Sequence, residues 1–204
     1  MSNLVKEPLI IDLQYLPSIS WFEVISAHEI IYLDKKEHYQ KGTYRNRCHI
    51  LSPNGQLRLS IPLMHGKQQR KPMEDVLISN DEAWQKIHWM TICSCYRRSA
   101  YFEYFEDTFF PFYHTQYEKL FDFNLELLKP VLKILKIEKE IKFTDSYIEP
   151  HSPGYTDMRS AILPNNKSPE FKSSKKYIQV FSDRFEFMPD LSIIDFIFNN
   201  GNKF

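Results

Sequence analysis

A basic stretch is the first feature of this sequence that could do chemistry. Residues 35–71 contain nine Lys and Arg side chains and one acid, Glu37, in a chain whose net charge is +0. Arginine suits phosphate or carboxylate because its planar guanidinium can donate two hydrogen bonds to one oxyanion. The stretch predicts a site for an anionic small molecule, although a solvated hairpin surface neutralised by acids elsewhere would explain the same pattern.

The densest part of that stretch is YQKGTYRNRCHI, residues 39–50. If residues 44–50 are extended, Arg45 and Arg47 point to the same face, because side chains alternate along a strand. We then expect the two arginines to hold one anion. The predicted anion-binding residues are Lys41, Arg45, Asn46 and Arg47. A strand with a polar outer face, which needs no ligand, is the alternative.

Asp34 and His88 are the candidate acid–base groups. Asp34 directly follows a predicted strand, where α/β proteins often place ligand contacts, although an aspartate there can equally cap a turn. His88 or His49 could also act as the base for a nucleophilic Cys48. A free cysteine on a core strand is, however, more often an inert small hydrophobe.

No motif in the sequence indicates a metal site. The seven histidines include no HExxH pair, and no CxxC is present. Cys93 and Cys95 would lie on different sides of a helix, which makes a poor chelate. We therefore predict no metal and no cofactor. Three cysteines without a signal peptide argue against a disulfide framework.

The helices and strands predicted around these residues indicate an α/β fold. Residues 9–15 and 29–34 are apolar strand candidates, and residues 18–29 between them could form a helix. A strand–helix–strand order favours a parallel pair of strands.

A β-hairpin is predicted next, with strands over residues 47–52 and 56–63. A Pro-Asn-Gly sequence separates the two strands, and Asn-Gly between apolar runs is a strong turn signal. Leu57, Leu59 and Ile61 alternate with polar neighbours, which is typical of a half-buried strand.

The middle of the chain is predicted to be helical and the C-terminal part irregular. The first helix covers residues 82–97, with a buried stripe formed by Trp84, Ile87, Met90 or Thr91, and Ser94. The second covers residues 115–136, and Pro130 should kink or split it. The remaining predictions are strands over 142–148 and 177–181, a long surface loop over 152–174 and a helix over 191–201 that Gly201 ends.

The composition is that of an ordinary globular protein, with 43% hydrophobic and 25% charged residues. It excludes a disordered chain, a coiled coil and a collagen-like fibre. Five glycines argue against Gly-rich phosphate loops, and zero net charge argues against a globally basic nucleic-acid binder. No apolar run approaches the roughly 18 residues of a membrane span, and no targeting signal is evident. We expect a cytoplasmic protein with one domain over residues 1–204.

Four segments of the sequence, taken in order, resemble the WbqC-like protein family. They are YLPSISWF (15–22) with the following residues 30–50 and 55–63, WQKIHWMTICSCYRRSAYFEYF (84–105), FDFNLELL (121–128) and YIQVFSDRFEFMPDLSIIDFIFNNG (177–201). Together, in this order, the four segments cover nearly the whole chain. Ser20 departs from the pattern, because this family more often has Gly before the aromatic residue.

The resemblance implies a bacterial protein of surface polysaccharide biosynthesis, including O-antigen, because WbqC-like proteins are often encoded among such genes. We predict a transferase-type enzyme that acts on an activated sugar or a similar anionic small molecule, since a nucleotide sugar carries a diphosphate that suits residues 39–50. Asp34 and His88 would be catalytic and would line one concave surface with residues 39–47. The predicted substrate-lining residues are Tyr15, Tyr39, Gln40, Trp84 and Tyr96.

Two other functions stay open. A non-catalytic protein of a biosynthetic complex could bind a partner enzyme through the aromatic residues 101–114, although the same run could simply be core. A nucleotide or RNA-end binder could stack bases on Tyr39 and Tyr44 beside the basic hairpin. Zero net charge makes this last function the least favoured of the three.

Overall fold

The computed structural model describes residues 7–64, 70–164, 173 and 175–204. The strands are β1 (Leu9–Ile11), β2 (Ile30–Leu33), β3 (Arg47–Ser52), β4 (Gly55–Ser60), β5 (Glu140–Phe143) and β6 (Thr156–Asp157). The helices are α1 (Ile19–Ser26), α2 (Trp84–Tyr96), α3 (Phe102–Phe109), α4 (Leu120–Leu135) and α5 (Ile193–Asn200). The predicted α/β class is confirmed, and helix α3 is an addition to the predicted elements.

Four strands form a parallel sheet in the order β5-β2-β1-β6. Strand β1 is central, and its Leu9, Ile10 and Ile11 are fully buried, as expected for a parallel strand that is covered on both faces. It pairs with β2 from Leu9 opposite Ile31 to Ile11 opposite Leu33. The strand–helix–strand unit is therefore confirmed, with β1 ending earlier than predicted.

Strands β3 and β4 form the predicted hairpin. Their antiparallel ladder runs from Arg47 opposite Ser60 to Ser52 opposite Gly55. Gly55 has a φ of 98°, a left-handed conformation that favours glycine. The Asn-Gly signal therefore located the turn correctly. Leu59 and Ile61 are buried, as the alternation with polar residues predicted, whereas Leu57 is 36% exposed.

Of the stripe predicted on helix α2, Trp84 is buried, but the rest of the buried face differs from the predicted one. Ile87 and Met90 are 56% and 60% exposed. The buried face instead carries His88, Ile92 and Tyr96, which lie four residues apart. The prediction assumed that the buried face would be apolar. His88 and Tyr96 nevertheless lie in the core, because hydrogen-bond partners satisfy their polar atoms there.

Helix α4 continues through Pro130, which neither splits it nor ends it. The helix stops at Lys136, whose φ of 56° is left-handed. Strand β5 overlaps the strand predicted over 142–148 but begins and ends earlier. The predicted C-terminal helix is confirmed as α5, and Gly201 follows it with a φ of 69°.

The segment 177–181 was predicted to be a strand, and that prediction is wrong. The chain there is irregular and is held by Gln179, whose amide donates to the carbonyl of Met188 and accepts from the Met188 backbone N–H. These two bonds join the segment to the backbone of Met188 through a side chain, without a strand ladder. The predicted loop 152–174 contains strand β6, while residues 165–172 and 174 lie outside the described part of the chain.

One apolar cluster joins β1, β2, the hairpin and all five helices. The organisation as one domain over residues 1–204 stays a prediction. No helix within residues 7–64, 70–164 and 175–204 is both long enough and apolar enough to cross a membrane.

Candidate functional site

Polar side chains stand at the carboxyl ends of all four parallel strands. Asp12 follows β1, Asp34 follows β2, Thr144 follows β5, and Asp157 ends β6. Because the strands are parallel, these residues share one edge of the sheet. The chain proceeds from β1 to β2 and β5, then returns to β6 on the other side of β1. The order reverses between β1 and β6, which is where ligands bind in open α/β sheets.

Arg159 ties two of these carboxylates together. Its Nε donates to Oδ1 of Asp157 at 3.0 Å, and its Nη1 donates to Oδ2 of Asp34 at 2.6 Å. Asp34 is fully buried and also accepts from the hydroxyl of Thr144 and from two backbone amides of the following loop. These contacts tie Arg159 and the loop after β2 to Asp34, so Asp34 positions both.

Arg45 forms a second, deeper ion pair. Its Nε donates to Oε1 of Glu37 at 2.7 Å, its Nη2 donates to the other carboxylate oxygen, and its Nη1 lies 3.7 Å from Oδ2 of Asp12. All three side chains are buried. Burial raises the pKa of the Glu37 carboxyl to about 7, although the Arg45 guanidinium acts in the opposite direction. A buried carboxyl that titrates near neutral pH is suited to acid–base catalysis.

Ser160 connects the two ion pairs. It has a left-handed φ of 58°, a strained conformation that is often found at functional sites. Its backbone N–H donates to Oδ1 of Asp12 at 2.7 Å, and its hydroxyl accepts from Arg45 and donates to Gln40, both at 3.1 Å. The loop after β6 is thereby fixed against the end of β1.

A cavity of about 290 Å³ opens beside these groups, and we call it the carboxyl-edge cavity. It is lined by Glu37, His38, Gln40, Tyr147, Pro150, His151, Asp157, Arg159 and Ser160. The rings of His38 and Tyr147 stack at 5.8 Å and give it an aromatic wall. Glu37 and Asp157 are the carboxylates of its lining and can accept hydrogen bonds from a ligand, whereas Asp12 and Asp34 pair with the two arginines outside that lining.

Three basic residues, which we call the basic rim, lie next to the segment that lines the carboxyl-edge cavity. Tyr39 donates its backbone N–H to the carbonyl of Lys71 at 2.9 Å, which places Arg70 and Lys71 beside the segment that carries Gln40. Lys41 follows Gln40 directly, and the three basic side chains are exposed. Among the described residues, none of these side chains forms an ion pair. They are available to an external anion.

Arg45 and Arg47 do not form the expected pair, which is a correction. Residues Tyr44–Asn46 form a short 3-10 helix, so the alternation of an extended strand does not apply. Arg45 is buried against Glu37, whereas Arg47 begins β3 and is half-buried. The guanidinium of Arg45 is taken up by carboxylates of the protein itself.

The other two predicted anion-binding residues also lie in different surroundings. Lys41 is exposed, whereas Asn46 is buried. The Asn46 amide donates to the carbonyl of Ile61 at 2.9 Å and accepts from the Tyr39 hydroxyl at 3.1 Å. Asn46 and Tyr39 therefore hold the segment together from inside.

His88 lies in the core and not in the carboxyl-edge cavity. Its Nδ1 accepts from the hydroxyl of Tyr15 at 3.0 Å, and its ring bonds to the backbone of Ser60. Burial lowers the pKa of His88 to about 4, so the ring is neutral at neutral pH. Trp84 packs its edge on the same ring. The expectation that His88 shares one concave surface with Asp34 is not met, and Tyr15 and Trp84 belong to the same buried cluster.

Tyr96 belongs to a separate buried network near the C-terminus. Its hydroxyl donates to Oδ1 of Asp195 at 2.8 Å and accepts from the Leu51 backbone N–H at 3.0 Å. Tyr177 and Gln179 donate to the other oxygen of Asp195. The network fastens helix α2 to α5 and to the irregular segment after residue 175. Of the five predicted substrate-lining residues, Gln40 alone lines the carboxyl-edge cavity.

The remaining candidate groups are mostly core. Tyr39 and Tyr44 are buried and offer no face on which a base could stack. Cys48 is buried, and burial raises the pKa of its thiol far above the usual range, which opposes a nucleophilic role. In the aromatic run 101–114, Phe102, Phe105, Phe109 and Tyr113 are buried, whereas Tyr104 is 78% and Phe110 43% exposed.

Sequence reasoning missed most of the carboxyl-edge cavity. Asp157, Arg159 and Ser160 fall in the segment that was taken for a surface loop. Glu37 was noticed only as the one acid in the basic stretch. The available signal was an aspartate directly after each apolar strand, and β6 is too short to show such a pattern. Over the described residues, no three His, Cys, Asp or Glu side chains are grouped to hold a metal ion.

Comparison with known proteins gives a family and one curated relative. The sequence pattern of the WbqC-like protein family matches residues 14–163, a span that includes the cavity residues from Glu37 to Ser160. The relative is the "Uncharacterized protein Rv1507c" of Mycobacterium tuberculosis (strain ATCC 25618 / H37Rv). It is 25% identical over 224 aligned residues, which cover 97% of this chain and 95% of the relative. No solved structure matches the chain.

Proposed function

The chain belongs to the WbqC-like protein family, and we propose that it is a transferase-type enzyme that acts on an activated sugar at the carboxyl-edge cavity. The observation that carries this proposal is the position of the cavity, at the point where the strand order of the parallel sheet reverses. It combines hydrogen-bonding groups with Glu37, a carboxyl whose pKa is raised to about 7.

The sugar ring is the part of the substrate that suits the cavity. Sugar hydroxyls donate hydrogen bonds, and Asp157, Gln40 and the hydroxyl of Ser160 supply acceptor oxygens in the cavity wall. The ring of Tyr147, which is 43% exposed in the cavity wall, provides an aromatic surface for the C–H face of a sugar. A volume of about 290 Å³ is at the small end of ligand pockets and suits one such ring.

The phosphates of the substrate would lie outside the cavity, on the basic rim. Lys41, Arg70 and Lys71 are exposed there, and their charges would oppose those of a diphosphate. This layout keeps the anion away from the buried carboxylates, which would repel it. The anionic substrate expected from the basic stretch is retained, but Arg45 acts beneath the cavity and not as a direct ligand.

The reaction we propose is glycosyl transfer from a nucleotide-linked sugar to an alcohol. The acceptor oxygen forms a bond to the anomeric carbon and gives its proton to Glu37. The bond from that carbon to the diphosphate breaks, and its electron pair leaves on the diphosphate, next to the rim cations. Arg45 holds Glu37 in place, and the pKa of about 7 lets Glu37 accept a proton at neutral pH.

Surface polysaccharide biosynthesis, including O-antigen, is the pathway class we propose for this reaction. The experiment is metabolite profiling of a strain that lacks the gene, complemented by wild type, Glu37→Gln or Arg58→Gln. Arg58 is exposed on β4, outside the cavity, and serves as the control. We expect a nucleotide-linked sugar to accumulate without the gene and to fall again with wild type and Arg58→Gln only. Full complementation by a folded Glu37→Gln protein would contradict the proposal.

A non-catalytic role in partner binding is the second candidate. Tyr104 is 78% exposed on α3, beside a groove of about 720 Å³ between α3 and α4 that also contains Pro130 and Ile134. An exposed aromatic ring next to an apolar groove is typical of a protein contact. If this is the function, Tyr104→Ala should release a co-purifying enzyme of the native host, while Glu37→Gln should have no effect.

A further inference from the structure

A third concave surface shares no lining residue with the carboxyl-edge cavity. It is a groove of about 810 Å³ between the C-terminal half of α2 and residues 180–184. Arg97, Arg98 and Arg184 line it, and we call it the arginine groove. Asp183 is the one acidic residue among its described lining residues. Its Oδ2 lies 3.8 Å from Nε of Arg184, and both side chains are exposed. Three cations thus face one carboxylate.

The floor of the arginine groove is apolar. Met90 is 60% exposed there, although it lies on a helix that packs its other face in the core. Phe181 and Val180 are half-buried on the opposite side, and Pro53 of the hairpin turn completes the wall. A flexible, exposed methionine beside an aromatic ring is a common feature of surfaces that bind apolar groups.

We propose that the arginine groove binds a phosphate-bearing ligand with an apolar or aromatic group. The phosphate pairs with Arg98 and Arg184, whose forks suit its oxygens, and the apolar part lies on Met90 and Phe181. This chemistry is opposite to that of the carboxyl-edge cavity, which is rich in acids. Nucleotides and isoprenoid diphosphates share the required chemistry, and the inference does not depend on the function proposed for the cavity.

Cys93 gives a local reporter for this groove. It lines the groove and is partly exposed, and its thiol contacts the side chain of Arg97. Cys48 and Cys95 are buried, and burial raises the pKa of both, that of Cys95 to about 11. Burial raises the pKa of Cys93 as well, so iodoacetamide should be applied at about pH 9, where Cys93 reacts first.

The experiment measures the rate of Cys93 alkylation, by peptide mass spectrometry, against the concentration of UDP, farnesyl diphosphate or pyrophosphate. We expect UDP or farnesyl diphosphate to slow the reaction, and whichever is stronger identifies the source of the ligand. Arg98→Gln and Arg184→Gln should each raise the apparent Kd about tenfold or more, the effect of losing a hydrogen bond to a charged group. Arg58→Gln, which removes an exposed arginine elsewhere, should leave it unchanged.

Three results would overturn the inference. The first is that none of the three probes protects Cys93. The second is that Arg98→Gln and Arg184→Gln are protected at the same ligand concentrations as the wild type. The third is that pyrophosphate protects Cys93 as strongly as UDP and farnesyl diphosphate do. Arg70→Gln distinguishes this site from the cavity. It should weaken binding of a nucleotide sugar at the rim and leave the protection of Cys93 intact, so each site succeeds or fails independently.

Discussion

Arg159 and Asp34 lie 125 residues apart in the sequence, yet Nη1 of Arg159 donates to Oδ2 of Asp34 at 2.6 Å inside the protein. The bond crosses the carboxyl edge of the parallel sheet, from the loop after β6 to the end of β2. The residue that sequence reasoning chose as an acid–base group thus positions the arginine beside the cavity. It also means that the cavity wall depends on a buried ion pair.

Removal of the Arg159 side chain should lower the stability of the folded protein. Arg159→Met leaves Asp34 and Asp157 without their cation in a buried setting, and loss of one partner of a buried pair costs about 3–5 kcal/mol. We expect the free energy of unfolding in urea to fall by that amount. Arg184→Met, at an exposed arginine with a loose ion pair, should change it by less than about 1 kcal/mol. Equal losses in the two variants would contradict the role given to Arg159.

The stability of the protein should carry a pH dependence that comes from Glu37. Its pKa in the folded protein is about 7, above the value of about 4.3 for an unfolded chain. Between these values the folded state binds the extra proton, so the contribution of Glu37 to stability is lost as the pH rises from about 4.3 to about 7. The unfolding free energy of wild type minus that of Glu37→Gln should therefore fall across this window and stay level above it. A difference that rises with pH would mean that the pKa is lowered.

The stability of the protein should depend on the Tyr96 hydroxyl in the network around Asp195. Tyr96→Phe removes the donor to Asp195 and the acceptor for the Leu51 backbone N–H, and both groups are buried. Leaving such groups unpaired costs about 1–3 kcal/mol. Thermal or urea unfolding should show this loss. Tyr104→Phe removes the same hydroxyl from a ring that is 78% exposed and should be neutral. A neutral Tyr96→Phe would mean that water replaces the hydroxyl.

The fold class and the hairpin could be read from the sequence because local signals carried them. Strands β1 and β2 are continuous apolar runs, and the Asn-Gly turn required the left-handed φ that Gly55 adopts. Asp34 was selected for a sound reason, since it follows a strand of a parallel sheet. These predictions needed no knowledge of which distant segments meet.

Most of the site could not be read from the sequence because its contacts are long-range. Strand β6 has two residues, so its sequence shows no periodicity. Arg159 and Ser160 lie in the loop that follows it, where no sequence pattern marks them as part of a site. The basic stretch predicted an anion bound to Arg45. The guanidinium of Arg45 instead donates to the carboxylate of Glu37, eight residues away in the sequence. The face of α2 was misjudged for a related reason, since His88 has its partners on other segments.

The most direct test of the account is calorimetry of nucleotide sugars, each compared with its own nucleotide. The account places the sugar in the carboxyl-edge cavity and the phosphates on the rim, so the wild type should bind one nucleotide sugar more tightly than the bare nucleotide. Gln40→Ala and Ser160→Ala should abolish that preference, while Arg70→Gln should weaken sugar and nucleotide alike by about 1.5–3 kcal/mol. A preference that survives both cavity variants, or no nucleotide sugar bound more tightly than its nucleotide, would contradict the account.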